Sequence, residues 1–260
     1  MIVSQSIIIS MFVPVVFSFA LFVGLILFYK KKTGISVKPL IVGSIGFIVI
    51  TQVLEKTLHV VVVLNFPNYA NYPWLFGLYG GMAAGIFEEV GRFLLFIWLL
   101  KKYREYKDGL SFGIGWGGIE AIVLMLTVGL PNILFAYMIN AGTFEVNLGV
   151  QLAADEIATL KETILNQGIS FYLLGAVERF FAVFMQIAFS LWGLYAAIKG
   201  KFIYVLYAVL IHAAIDFPLV FFQTGHFTNI WVIESYVAVI GVLSFIVIGR
   251  IKTAIHKANE

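Results

Sequence analysis

The sequence of 260 residues contains no cysteine. That absence excludes a disulfide framework, a thiolate nucleophile and a cysteine-ligated metal. Charge is also scarce, because only 12% of the residues are charged while 61% are hydrophobic. Soluble domains carry about 25% charged residues, so the composition excludes a soluble globular protein. We expect a multi-pass membrane protein whose partner is the lipid bilayer, and we expect no nucleic-acid partner.

The N-terminus lacks the features of a cleaved signal peptide. Residues 1–6 contain no Lys or Arg, and no Ala-x-Ala-like site follows the first apolar run. Because that run also has the length of a full span, we interpret it as a true first helix.

Seven apolar segments can each hold the roughly 20 residues that a membrane span requires. No internal repeat or second domain is evident, so we predict an all-α transmembrane bundle that forms a single membrane-embedded domain over residues 1–260. The predicted spans lie near residues 7–29, 38–63, 74–100, 109–137, 170–198, 202–222 and 229–250.

The loop cations alternate along the chain. Between the predicted spans and in the tail they are Lys30, Lys31, Lys32, Lys38, Lys101, Lys102, Arg104, Lys107, Lys199, Lys201, Arg250, Lys252 and Lys257, whereas the opposite loops hold only Lys161. By the positive-inside rule this asymmetry predicts seven spans in the cell membrane, with the N-terminus outside and the C-terminus cytoplasmic. In one outer loop, 145–166, acidic residues punctuate an apolar pattern that is typical of a short interfacial helix.

Charged residues interrupt the third apolar segment. Glu88, Glu89 and Arg92 lie between the uncharged runs 74–84 and 93–100. A charge at mid-bilayer costs at least a few kcal/mol and persists mainly where function or pairing requires it. At about 1.5 Å per residue from the basic edge, Glu88, Glu120, Gln186 and His212 all lie roughly 15–18 Å deep, near the midplane of a ~30 Å core. Polar groups of four helices at one depth predict a shared internal site.

Helical spacing gives these side chains directions. Glu88 and Arg92 share a face at i, i+4, as do His212 and Asp216, while Glu89 lies about 100° round the helix. Glycines beside them, such as Gly85 and Gly117, predict close helix approach. Purely structural roles stay open: Glu178 and Arg179 are also typical of a helix-locking pair without chemistry, Glu55 with Lys56 favours such a pair, and His59 favours a core or outer-edge position.

Four elements occur in a fixed order along the third to sixth spans. They are Glu88-Glu89-x-x-Arg92, then Phe112-x-x-x-Trp116 with Glu120, then Glu178-Arg179 before Gln186, and finally His212-x-x-x-Asp216. This series resembles the membrane-embedded peptidase superfamily that includes the type II CAAX prenyl endopeptidases, and in detail it is most similar to the YhfC family of membrane peptidases.

The resemblance implies hydrolysis of a peptide bond within the membrane. It implies Glu88 as the general base, Glu89 as its partner, His212 as a water or oxyanion ligand and Asp216 as the group that orients His212. The remaining motif residues are expected to line the pocket: Arg92, Phe112, Trp116, Glu120, Glu178, Arg179 and Gln186.

Two positions depart from the pattern that the resemblance implies. The second motif is Phe-x-x-x-His in the superfamily, but here Phe112 is followed by Trp116, and Gln186 stands where the fifth span usually has a histidine. Trp offers no ligand atom and Gln a poor one, whereas a zinc site needs three good donors. We therefore assign no metal ligand, and we expect a zinc ion only if Glu88, Glu120 and His212 suffice.

The departures leave an alternative open. The seven-helix scaffold subunit of γ-secretase, a non-enzymatic branch of the superfamily, also lacks the second-motif histidine and resembles this chain in its number of spans. The chain could thus hydrolyse a membrane peptide or be a pseudoprotease that presents another membrane protein. An ion path is a third class, since intramembrane acids also serve proton relays, but no inverted repeat supports it.

Overall fold

The computed structural model describes residues 2–259, with the backbone alone at Ala70, and within that range it contains helices and no strand. The helices are α1 (Gln5–Lys32), α2 (Val37–Asn65), α3 (73–98), α4 (Tyr106–Ala141), α5 (Phe144–Leu148), α6 (Ala154–Asn166), α7 (Ile169–Lys199), α8 (Ile203–Gln223) and α9 (Ile230–Asn259). A short 3₁₀ turn, Tyr69–Asn71, precedes α3. The all-α prediction is confirmed.

Six of the described helices are long and apolar enough to cross a membrane, namely α1, α2, α4, α7, α8 and α9. The predicted third span corresponds to α3, which is helical over 73–98 but carries the three charges of Glu88, Glu89 and Arg92 and is not among the six. The protein is therefore a multi-pass membrane protein, whereas the count of seven spans and the orientation of the termini stay predictions.

The chain forms two compact units. One comprises Met1–Leu21 with Ala121–Phe180, and the other comprises Phe22–Glu120 with Phe181–Glu260. The single-domain prediction thus stays a prediction, and each unit is described by itself below.

The unit of Met1–Leu21 and Ala121–Phe180 has its own apolar core, in which Met11, Phe144 and Ile164 are almost fully buried. Asn140 holds the N-terminal segment of this unit in place. The Asn140 side chain accepts a hydrogen bond from Val3 N–H at 2.7 Å and donates one to Val3 O at 2.8 Å. The predicted interfacial helix of 145–166 is divided into α5 and α6. Lys161 Nζ donates to Glu145 between them, and this bond holds the pKa of the Glu145 carboxyl below its usual value.

The other unit contains two π-helical segments that pack against each other. They are Ile48–Glu55 within α2 and Ile86–Val90 within α3. A π-helical turn holds one more residue than an α-helical turn, and such segments occur frequently at functional sites. Here the segment in α3 carries both Glu88 and Glu89. The wider turn therefore changes where the two carboxylates point.

Candidate active site

Arg92 is the centre of the polar cluster. Its side chain is 0% exposed and donates to three acceptors. One guanidinium nitrogen donates to Glu89 Oε1, and the other donates to Glu88 Oε2 at 2.5 Å and to Gln186 Oε1. A buried charge of this kind is tolerated only when it is paired and hydrogen-bonded. The guanidinium thereby links the third and fifth predicted spans.

Trp116 closes one side of this cluster. Its indole N–H donates to Glu88 Oε2 at 3.2 Å, so Trp116 and Arg92 bond the same carboxylate oxygen. The indole ring also lies 4.7 Å from the Arg92 guanidinium carbon, within the range of a cation–π contact. Phe112, which is fully buried, stacks on Trp116 with ring centroids 5.7 Å apart and so fixes the indole in place.

A close approach of α4 to α7 brings Trp116 and Gln186 into one site. A Cβ at Gly117 would lie 2.8 Å from Gln186 Cβ and 3.2 Å from Val183 Cα. Only glycine fits such a contact without displacing a helix. The predicted role of the glycines as close-contact faces is therefore confirmed here, and it sets the depth at which Gln186 meets Arg92.

His212 joins the cluster through Glu89. His212 Nδ1–H donates to Glu89 Oε1 at 2.7 Å, and His212 Nε2 lies 3.4 Å from Asp216 Oδ2. The contact depends on the packing of α3 against α8, where a Cβ at Gly85 would be only 2.6 Å from Val209 O. Phe189 stacks on one face of the imidazole, with ring centroids 4.7 Å apart.

Most of the predicted catalytic and pocket residues therefore meet. Glu88, Glu89 and His212 are almost fully buried, while the Asp216 side chain is 24% exposed at the edge of the cluster. Glu120 is partly buried on α4. Glu178 and Arg179 belong to the unit of Met1–Leu21 and Ala121–Phe180, where Arg179 donates to Glu178. The interpretation of this pair as a helix-locking ion pair stays open.

A second polar group was assigned only structural roles from the sequence. Tyr79 O–H donates to His59 Nδ1 at 2.7 Å, and His59 Nε2–H donates to Glu55 Oε1 at 3.2 Å. Glu55 therefore pairs with His59, and Lys56 instead lies 3.5 Å from Gln52 Oε1. The i, i+4 spacing of Glu55 and His59 was the signal that could have identified this group.

The described residues form one cluster that could hold a metal ion, and it differs in one member from the set expected from the sequence. Ligand atoms of Glu88, Glu89 and His212 all lie within 4.8 Å of one another. Glu89 thus takes the place expected for Glu120. Its Oε2 atom is buried and, among the described residues, accepts no hydrogen bond.

The charge of the cluster also fits a divalent cation. The carboxylates of Glu88, Glu89 and Asp216 outnumber the guanidinium of Arg92, so the ionised groups leave a negative excess of one charge with a protonated His212 and of two with a neutral His212. Buried charge of one sign is unfavourable unless it is compensated. Three protein donors are the minimum for a catalytic zinc site, although Glu₂His is poorer in imidazole than the usual sets.

Comparison with known proteins agrees with this geometry. The family model described as YhfC intramembrane metalloprotease matches residues 17–237. The uncharacterized membrane protein YhfC of Bacillus subtilis (strain 168) is 36% identical over 245 residues, which cover 93% of this chain and 95% of that protein. No solved structure matches the chain.

These matches confirm the resemblance inferred from the motifs, while the wider relationship to CAAX endopeptidases and to γ-secretase stays a prediction. The match takes in Glu88, Glu89, Trp116, Gln186 and His212 together. The chain therefore belongs to the YhfC intramembrane metalloprotease family.

Proposed function

We propose that the protein hydrolyses peptide bonds of membrane-embedded or membrane-proximal substrates at the Glu88–Glu89–His212 cluster. The observation that carries the proposal is the convergence of three potential ligands, two carboxylates and one imidazole, within 4.8 Å in a buried site of a protein from a metalloprotease family. A cluster of this kind is costly to bury in a membrane, and its presence therefore favours a functional role.

Glu88 is the general base in this proposal. It takes a proton from water on Oε1, the oxygen that neither Arg92 nor Trp116 bonds. The water oxygen adds to the scissile carbonyl carbon, the carbon–nitrogen bond breaks, and Glu88 returns the proton to the leaving amine. Arg92 holds the Glu88 carboxylate in position throughout.

Glu89 orients His212 through the bond to Nδ1, and Asp216 supports the other ring nitrogen. Glu88, Glu89 and His212 are the residues that would hold a divalent cation, Glu88 through the carboxylate oxygen that does not act as the base and His212 through one ring nitrogen in place of the hydrogen bond that this nitrogen makes here. A cation bound there supplies Lewis-acid polarisation of the substrate carbonyl. The packing of Phe189 and Trp116 against the polar groups excludes bulk water, which strengthens each electrostatic contact.

The test is hydrolysis in proteoliposomes made in H₂¹⁸O. Purified wild-type protein is incubated with a mixture of single-span model peptides, and mass spectrometry detects new carboxyl termini that carry ¹⁸O. We expect E88Q to lower the rate by at least about 10²-fold, the usual contribution of a general base. E162Q, an exposed substitution on α6, is the matched control with the same charge change. Equal cleavage by E88Q and wild type would contradict the proposal.

A second candidate, the pseudoprotease scaffold, has one observation in its favour. Trp116 and Gln186 stand where histidines are expected. Both side chains form hydrogen bonds with the ion-pair cluster, so neither offers the cluster a free atom that could bind a metal ion. A scaffold would give no ¹⁸O incorporation with any variant. It would instead retain a membrane-protein partner during purification, equally well with wild type and E88Q.

A further inference from the structure

A lateral groove lies between the C-terminal half of α7, α8 and α9. Its upper part is a cavity of about 570 Å³, lined among others by Ala188, Phe189, Ala208, Ala214 and Leu243. Its lower part is a cavity of about 280 Å³, lined among others by Tyr195, Tyr204 and Ile251. Both cavities are lined by Trp192, Val247 and Arg250, so they are adjacent, and we call the two together the lateral groove.

The upper part of the lateral groove is apolar and faces outward. Ile211 and Leu243 on its rim are 45% and 50% exposed. In a multi-pass membrane protein, apolar side chains of a spanning helix that face outward meet lipid acyl chains. Small side chains, Ala188, Ala208 and Ala214, leave the space between the helices that a chain can enter.

The lower part of the lateral groove is lined by aromatic residues and one cation, in contrast to the apolar upper part. Arg250 is exposed and, within the described chain, forms no ion pair. Lys199 belongs to the same predicted basic edge of the bundle, and its ammonium lies 5.7 Å from the ring of Tyr195. Trp192, Tyr195 and Tyr204 supply the amphipathic rings that gather at the level of lipid headgroups.

We propose that the lateral groove is a binding site for one anionic phospholipid. An acyl chain lies in the upper cavity, and the phosphate lies against Arg250 at the junction with the lower cavity. Arg250 is the one cation among the described residues that line the two cavities, and an apolar groove that ends at such a cation matches an amphiphile with an apolar chain and an anionic head. Basic pockets between spanning helices bind anionic headgroups by the same chemistry.

The site has a structural consequence for the cluster of Glu88, Glu89 and His212. Phe189 lines the lateral groove and also stacks on His212 at 4.7 Å. A bound acyl chain therefore packs against the ring that covers the imidazole. The lipid site itself stands independently of any hydrolytic activity, because none of its contacts uses the polar cluster.

Native mass spectrometry of the full-length purified protein tests the headgroup contact. The protein is incubated with phosphatidylglycerol or with phosphatidylcholine in detergent. We expect phosphatidylglycerol adducts to exceed phosphatidylcholine adducts by about fivefold, the ratio that one juxtamembrane cation supplies. R250Q should reduce this preference to near parity, while K257Q, which removes an equal charge farther along α9, should leave it unchanged.

The second arm tests the position of the acyl chain. Ala214 is exposed within the lateral groove, so A214W fills it, whereas A20W places the same bulk on an exposed position of α1. We expect A214W to lower adducts of both lipids and A20W to leave them unchanged. Phosphatidylglycerol with brominated acyl chains should quench Trp192, and W192F should remove that part of the quenching.

Each contrary outcome overturns the proposal. Equal retention of both lipids by wild type, or an unchanged preference in R250Q, contradicts the headgroup contact. Unchanged adducts in A214W contradict the chain position. If A214W instead abolishes a dimer or the retention of another membrane protein while lipid adducts persist, the groove holds a protein helix and not a phospholipid.

Discussion

Trp116 donates its indole N–H to Oε2 of Glu88 at 3.2 Å, at the motif position where the resemblance predicts a histidine. The same ring lies over Arg92 at 4.7 Å, and Arg92 bonds the same Glu88 oxygen at 2.5 Å. The replacement is thus integrated into the network of the candidate base. It exchanges a potential metal ligand for a neutral hydrogen-bond donor, which stabilises the ionised carboxylate without binding a cation.

The first prediction concerns the folding role of Arg92. Removal of its charge in R92M leaves Glu88 and Glu89 buried without their main partner. Breaking a buried ion pair in this way costs about 3–5 kcal/mol. We expect R92M to lower the free energy of unfolding by that amount, measured by denaturant titration in detergent micelles.

The companion to R92M is the triple variant E88Q/E89Q/R92M. It removes the uncompensated charges together, and replacement of a whole buried ion-pair group is often nearly neutral. We expect it to recover most of the lost stability. K101M serves as the matched surface change, with an effect within about 0.5 kcal/mol. A triple variant no more stable than R92M would indicate that packing, not charge pairing, sets the cost.

The second prediction separates the two candidate metal-ligand sets. The geometry gathers Glu88, Glu89 and His212, whereas the sequence favoured Glu120 over Glu89. We expect E89Q and H212A each to lower the affinity for Zn²⁺ by at least about tenfold, since loss of even a supporting group at a metal site costs 10–100-fold. E120Q should keep the wild-type affinity. Equilibrium dialysis with metal analysis measures the Zn²⁺ affinity of the wild type and the three variants. An equal loss of affinity in E89Q and E120Q would contradict the ligand set of Glu88, Glu89 and His212.

Much of the site was predictable because charges are so scarce in the spans. Glu88, Glu120, Gln186 and His212 stand out against an apolar background, and their equal depth predicts that they meet. The structure brings Glu88, Gln186 and His212 together through Arg92 and Glu89, whereas the cluster of potential metal ligands contains Glu89 and not Glu120. Depth does not depend on the rotation of each helix, which explains why this inference succeeded.

Direction around a helix could be predicted only in part. Glu89 is expected about 100° round the helix from Glu88, and the two carboxylates do bond different neighbours, His212 on α8 and Trp116 on α4. Both also reach Arg92, because residues spaced i, i+3 and i, i+4 share a face of a helix. The Tyr79–His59–Glu55 group was not predicted as a cluster for a related reason. Contacts between α2 and α3 depend on the rotation of each helix about its axis and not on depth.

The third prediction tests the close approach of α3 and α8. A Cβ at Gly85 would lie 2.6 Å from Val209 O, so G85A must push the helices apart. Overpacking of this kind costs about 1–3 kcal/mol. We expect a lower free energy of unfolding and a weaker Glu89–His212 contact, the latter seen as reduced Zn²⁺ affinity. G249A, where nothing lies within 4 Å of the added Cβ, should be neutral or stabilising by up to about 1 kcal/mol.

The fourth prediction asks whether the two missing histidines limit metal binding. Trp116 and Gln186 both contact the cluster, so W116H and Q186H place imidazoles beside Glu88, Glu89 and His212. Imidazole is a far better zinc ligand than indole or amide. We expect the double variant W116H/Q186H to bind Zn²⁺ at least about tenfold more tightly than wild type.

Stability must be measured beside affinity in this experiment. Loss of the large Trp116 ring from a fully buried position removes its packing on Phe112 and Arg92, at a cost of about 3 kcal/mol or more. W116F keeps the ring bulk but cannot bind metal, and so separates packing from ligation. If W116H/Q186H binds Zn²⁺ no better than W116F, then Arg92 rather than the absent histidines limits the site, because its fixed positive charge opposes a cation held by the same carboxylates.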